Sequence, residues 1–178
     1  LAIADDRGSR QVWCTAGLVM FIRSEHDYYP IEAVEYSPDG AQIATAGGDL
    51  VVRLWDASSG ECLQELTGHE RRIDSLAYSP DGAQIAAGSG GGTVKLWDVA
   101  TGECTQALSA HDGNVRDLAY SPDGMLLATV GNDATLKLWD LARGLCTSTL
   151  KGHTDWVRAV AYHPSGQKIA TGSGDRGA

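Results

Sequence analysis

A period of 42 residues runs through this chain and limits what it can fold into. Trp13, Trp55, Trp97 and Trp139 stand 42 residues apart, and the last three are followed by Asp56, Asp98 and Asp140. His69, His111 and His153 keep the same period. So do Ser37-Pro38-Asp39-Gly40, Ser79-Pro80-Asp81-Gly82 and Ser121-Pro122-Asp123-Gly124, with His163-Pro164-Ser165-Gly166 as a variant. Markers of such different chemistry do not fall into one register by chance. A fixed period of this length signals an architecture in which each unit packs only on its neighbours.

Within a unit the residues alternate between short apolar runs and turn formers. In the third unit, 115–121 reads as a first strand, and Pro122-Asp123-Gly124 supplies the fixed φ and then the permissive glycine of a hairpin turn. Residues 125–130 form a second strand, Gly131-Asn132-Asp133 turn the chain, and 135–140 and 145–150 form a third and a fourth. With 22 glycines, one phenylalanine and 43% hydrophobic residues in 178, the expected class is all-β with a sizeable core. A single sheet of this kind carries apolar side chains on both faces, so it must be sandwiched between others.

Gly68-His69, Gly152-His153, the Ser-Pro-Asp-Gly turns and the repeated Leu-Trp-Asp resemble the WD-repeat β-propeller family, and nearly the whole chain shares the pattern. The resemblance implies four-stranded antiparallel blades, about four in this chain: degenerate strands in 1–30, three full repeats in 31–156 and a truncated blade in 157–178. Trp13 keeps its register while Cys14 replaces the aspartate. Seventeen strands are expected, one more than four blades hold, with both ends in mid-blade. The expectation is a partial propeller belonging to a ring of seven or eight blades, or a homodimer completing an eight-bladed ring.

The resemblance also implies a hydrogen-bonded tetrad of His, Ser or Thr, Asp and Trp. The third unit holds it whole as His111, Thr129, Asp133 and Trp139; an earlier set, Thr45, Asp49 and Trp55, is complete if His26 reaches it. In the unit between, Ala87 and Gly91 take the hydroxyl and carboxylate positions, so His69 and Trp97 lose their link.

Charge and spacing exclude several functions. A net charge of −9 opposes binding to a phosphate backbone, so no nucleic acid is expected as partner. The apolar stretch 18–22 is too short to span a bilayer, and no membrane partner is expected. Cys62, Cys104 and Cys146 recur once per unit, too far apart for the roughly 4.4 to 6.8 Å Cα spacing of a disulfide. They read as free thiols packed as small apolar groups, which suits the cytoplasm. A His, Asp and Thr that recur in register are structural, because a nucleophile needs no copies. The histidines lack zinc-type spacing, and the glycine run 88–92 opens a strand where a phosphate loop would open a helix. No metal, cofactor or enzymatic activity is expected.

What remains is the surface. The family resemblance implies that partner proteins meet the face carrying the starts of the first strands. By register that face holds Glu32, Asp74, Arg116 and Arg158, with Arg72, Asn114 and Trp156 two places earlier and Asn132 in the opposing turn. Trp156 is the one tryptophan off the period, and Trp and Arg are enriched in binding hot spots. Trp156, Arg158, Arg116, Asn114, Asn132 and Arg72 are expected to form a cationic and aromatic sector facing an acidic one at Glu32 and Asp74. Tyr28 and Tyr29 extend the same face or pack on the degenerate blade. The function implied is a non-catalytic scaffold for protein partners. The alternative is a regulatory propeller of a larger nucleotide-switch signalling protein, whose repeats share the Gly-Glu-Cys at 60–62 and 102–104.

Overall fold

The computed structural model describes the segments 2–4, 10–13 and 19–22 and all residues from 29 to 175. Among these residues every regular element is a strand. β1 (Ala2–Ala4), β2 (Arg10–Trp13) and β3 (Val19–Ile22) form one sheet. β4 (Ile31–Tyr36), β5 (Gln42–Gly47), β6 (Val52–Asp56) and β7 (Cys62–Leu66) form the next. It is followed by β8 (Ile73–Tyr78), β9 (Gln84–Ser89), β10 (Thr93–Asp98) and β11 (Cys104–Ser109). Then come β12 (Val115–Tyr120), β13 (Leu126–Gly131), β14 (Thr135–Asp140) and β15 (Leu145–Lys151). β16 (Val157–Tyr162) and β17 (Ile169–Ser173) close the series as a pair. Each sheet is antiparallel with strands in chain order, which is the blade of a propeller.

The Ser-Pro-Asp-Gly segments make the turn between first and second strands. In each, the serine hydroxyl donates to the aspartate Oδ1 at 2.5–2.6 Å, and the glycine N–H donates to the serine carbonyl. The glycines sit at φ 71°, 73° and 73°, which only glycine reaches without strain. His163-Pro164-Ser165-Gly166 makes the same turn with the roles moved: Ser165 N–H donates to His163 Nδ1 at 3.1 Å, and Gly166 keeps φ 73°.

The core lies between sheets. Ala44, Val52, Leu54 and Leu66 of one blade pack against Ile73, Leu76, Ile85 and Trp97 of the next. Val94, Leu96 and Leu108 then meet Val115, Leu118, Leu127 and Trp139. Trp97 and Trp139 lie on the face turned to the preceding blade and are almost wholly buried, as the 1% exposure of Trp97 shows. Polar clasps add to this packing. Asp117 Oδ2 accepts the Val160 N–H at 2.9 Å, joining the first strands of adjacent blades, and Gln106 Nε2 donates to the Leu141 carbonyl.

The cysteines correct one expectation. Cys62, Cys104 and Cys146 are exposed, not packed as small apolar groups. They stand at the start of β7, β11 and at the second residue of β15, the outermost strands, where no further sheet covers them.

The third-blade tetrad is a directed chain of hydrogen bonds. Trp139 Nε1–H donates to Thr129 Oγ1 at 3.0 Å, Thr129 Oγ1 stands 2.8 Å from His111 Nε2, and His111 Nδ1 stands 2.8 Å from Asp133 Oδ1. Burial lowers the His111 pKa, and the opposing pull of Asp133 does not restore it. The ring is therefore neutral near pH 7, accepting from Thr129 and donating through Nδ1–H to Asp133. Burial raises the Asp133 pKa, but hydrogen bonds from Thr135 and His111 outweigh it and hold the carboxyl ionised. The chain ties β13, β14 and the loop before β12 together.

Elsewhere the network varies. Trp55 Nε1–H donates to Thr45 Oγ1 at 2.8 Å, and Asp49 accepts from the buried Arg53, whose Nε also donates to Glu65 Oε1 at 2.7 Å. His26 lies outside the described residues, as does Tyr28. One partial tetrad follows the period beyond those expected: His153 Nδ1 meets Asp175 Oδ2 at 2.8 Å and Nε2 meets Thr171 Oγ1 at 2.8 Å. In the second blade, His69 is 6% exposed, lies 5.4 Å from the Trp97 ring, and has a buried Nε2 with no hydrogen-bond partner. That orphan follows from Ala87, which lacks the hydroxyl that Thr129 supplies in the third blade.

Two outcomes follow from these networks. Asp133→Ala strands the His111 N–H, and urea unfolding should show a loss of about 3 kcal/mol. His69 has its pKa lowered to about 4, by burial first and by nearby Lys95 second. Between that value and the ordinary value of about 6.5, the unfolded chain binds the extra proton, so stability must fall as pH falls through this window. His69→Phe should remove a slope of up to about 1.4 kcal/mol per pH unit from stability measured between pH about 6.5 and 4.

Candidate interaction surface

One backbone irregularity builds the loop-bearing face. In every blade with a described first strand, the pairing of first and second strands slips by one residue at the same place: Ile31/Ala33, Ile73/Ser75, Val115/Asp117 and Val157/Ala159. The extra residues are Glu32, Asp74, Arg116 and Arg158. A bulge leaves its residue out of the ladder and re-aims the side chain. The four positions singled out by register are thus the four that the ladder releases.

Their side chains converge. Glu32, Arg72, Asp74, Arg116, Trp156 and Arg158 line one open depression of about 360 Å³. Arg72 Nε lies 2.8 Å from Asp74 Oδ1, and Arg72 Nη1 lies 3.5 Å from Glu32 Oε1. Asn114 Nδ2 donates to the second Asp74 oxygen at 3.0 Å. Arg116 Nε donates to Asn132 Oδ1 at 2.7 Å, and its guanidinium carbon sits 4.9 Å from the centroid of the Trp156 ring. The Arg158 guanidinium approaches the same ring at 5.9 Å. Trp156 remains 43% exposed, so it is not folded away beneath a loop.

This arrangement redraws the expected sectors. Arg72 and Asn114 belong with the acidic residues, because Arg72 bridges Glu32 and Asp74 and Asn114 completes Asp74. Arg72 lies one blade earlier than Arg116, beside the two carboxylates, and an arginine takes the nearest acid. The cationic and aromatic sector contracts to Arg116, Asn132, Trp156 and Arg158. Gly90 shares the turn register of Asn132 and lies beside Arg72 and Asn114, where a Cβ would make only ordinary contacts. Tyr29 is also exposed at this end of the sheet, with its side chain against the turn at Gly48.

The bulge is what residue spacing did not reveal. Its signal is indirect: a charged residue follows the first apolar position of β4, β8, β12 and β16 alike, where simple alternation would let the ladder continue. Among the described residues, no three His, Cys, Asp or Glu side chains stand together as a metal-binding group. No described helix is long and apolar enough to cross a membrane.

The WD domain, G-beta repeat family matches residues 19–56, 60–98, 102–140 and 144–178. The matched segments are offset from the sheets, since 60–98 runs from outermost strand β7 to third strand β10, so each sequence repeat staples two blades. The chain is 36% identical over 63 residues to the periodic tryptophan protein 2 homolog of Dictyostelium discoideum, covering 35% of this chain and 7% of that one. Periodic tryptophan protein 2 of Arabidopsis thaliana is 29% identical over 66 residues, 37% of this chain and 7% of its own. An uncharacterized WD repeat-containing protein of Schizosaccharomyces pombe is 43% identical over 44 residues, 25% of this chain and 15% of its own. Matches of that extent cover only a small part of each relative. WD repeats typically mediate protein–protein interaction, and proteins built from them are generally non-catalytic scaffolds. With four family repeats along its length and their blades in its structure, the chain belongs to the WD-repeat β-propeller family.

Proposed function

We propose that this chain is a non-catalytic scaffold whose protein partner seats on the loop-bearing face, in the depression around Trp156. The observation that carries the reading is the convergence of Trp156, Arg116 and Arg158 from two blades onto one exposed spot. Trp156 is exposed, and unlike the exposed Leu63, Leu145 and Leu150 of the outer strands it has two guanidiniums set against its ring. Tryptophan and arginine side by side are the residues most enriched in interface hot spots. Exposed thiols at Cys104 and Cys146 support placing the protein in a reducing compartment such as the cytoplasm.

The reading separates binding from folding. Trp156→Ala should change thermal stability by less than about 1 kcal/mol, because an exposed side chain leaves no cavity. In cross-linking from a cell extract, Trp156→Ala/Arg158→Ala should lose the proteins that the wild type captures, while Leu145→Ala, an exposed change on outer strand β15, should keep them. Identical capture by the double variant would sink this surface assignment.

A further inference from the structure

Resting on that reading, we infer that the depression around Trp156 takes an acidic segment of its protein partner, with carboxylate side chains set against Arg116 and Arg158. The inference comes from how charge is divided within the depression. Its two carboxylates, Glu32 and Asp74, are both bound to Arg72, and Asp74 is also bound to Asn114. Its other two cations have no such partner: among the described residues, neither Arg116 nor Arg158 forms an ion pair. Arg116 is held by Asn132 through Nε alone, which leaves its terminal N–H groups available, and Arg158 makes no hydrogen bond there. A chain with a net charge of −9 thus gathers on one aromatic ring two guanidiniums that no carboxylate binds as an ion pair, the Asp155 carboxylate standing near Arg158 beside Gly174 without pairing with it.

Each alternative partner fits worse. A basic segment would have to displace Arg72 from carboxylates already satisfied. A nucleic acid offers a base to stack on Trp156, but its affinity comes from many neutralised phosphates, and two arginines on an acidic protein neutralise few. Carboxylates suit the site because a guanidinium binds them through paired N–H groups, and here the Arg116 fork is already oriented by Asn132 and the indole. The indole supplies a flat apolar floor for the stems of Glu side chains.

Calorimetric titration of the full chain with N-acetyl hexaglutamate amide tests this, with hexalysine and decathymidylate as comparison ligands. Hexaglutamate should bind and weaken as NaCl rises from about 20 to 200 mM, as exposed ion pairs do. Arg116→Gln/Arg158→Gln and Trp156→Ala should each raise Kd at least about tenfold, and Glu32→Gln, which removes a negative charge from the depression, should lower it. Circular dichroism melts matching the wild type establish that the variants are folded. The proposal is overturned if hexaglutamate shows no binding, if the double variant keeps Kd within about twofold, or if hexalysine or decathymidylate binds more tightly. Failure here with partner capture still dependent on Trp156 and Arg158 removes the acidic class alone; capture independent of both removes the surface reading itself.

Discussion

Blade-to-blade burial is the constraint on which everything else in this molecule rests. A four-stranded sheet with Trp97 and Leu76 on one side and Leu96 and Leu118's contacts on the other has no face to give to water. Fully burying such a side chain is worth about 1.5–3 kcal/mol, and each sheet offers several to each neighbour. Stability is therefore shared across the interfaces between units, and the repeat exists because one solution to that problem is used again in each blade. The offset between sequence repeats and sheets adds a covalent tie at every interface.

Hydrogen-bond networks refine that packing without replacing it. In the third blade, a neutral His111 passes hydrogen bonds from Trp139 and Thr129 through to Asp133, and every buried polar group on the route is satisfied. In the second, the same His and Trp are retained with Ala87 and Gly91 in place of their partners, and His69 is left with an orphaned nitrogen. The fold tolerates the loss because Trp97 remains packed between sheets. Buried polar atoms without partners still cost free energy, so the blades are alike in shape and unequal in stability.

The same economy positions the outer face. The ladder slips once in each of the four described first strands, and the residue released is not held by the strand pairing. Blades one and two place acids there and tie them together through Arg72; blades three and four place arginines there and bring them to Trp156. A rigid, repetitive frame thus carries a surface that differs from blade to blade, which is how function is grafted onto a shared fold.

Much of this was legible in the residues alone. The period located the strands to within a residue or two and the Ser-Pro-Asp-Gly turns, and the family resemblance, carried along that register, pointed to the tetrad at His111, Thr129, Asp133 and Trp139, because each depends on contacts within one repeat. The His153, Thr171 and Asp175 set obeys the same period and could have been read the same way. Other features had no local signature. Arg72 belongs to the carboxylates and not to Arg116 because it reaches Glu32, 40 residues away, across a blade boundary. Cys104 and Cys146 are exposed because nothing stacks beyond the outermost strand. Spacing along the chain determined what each blade is; which side chains meet between blades was decided only by the pitch and angle at which the sheets pack, a quantity that no single repeat contains.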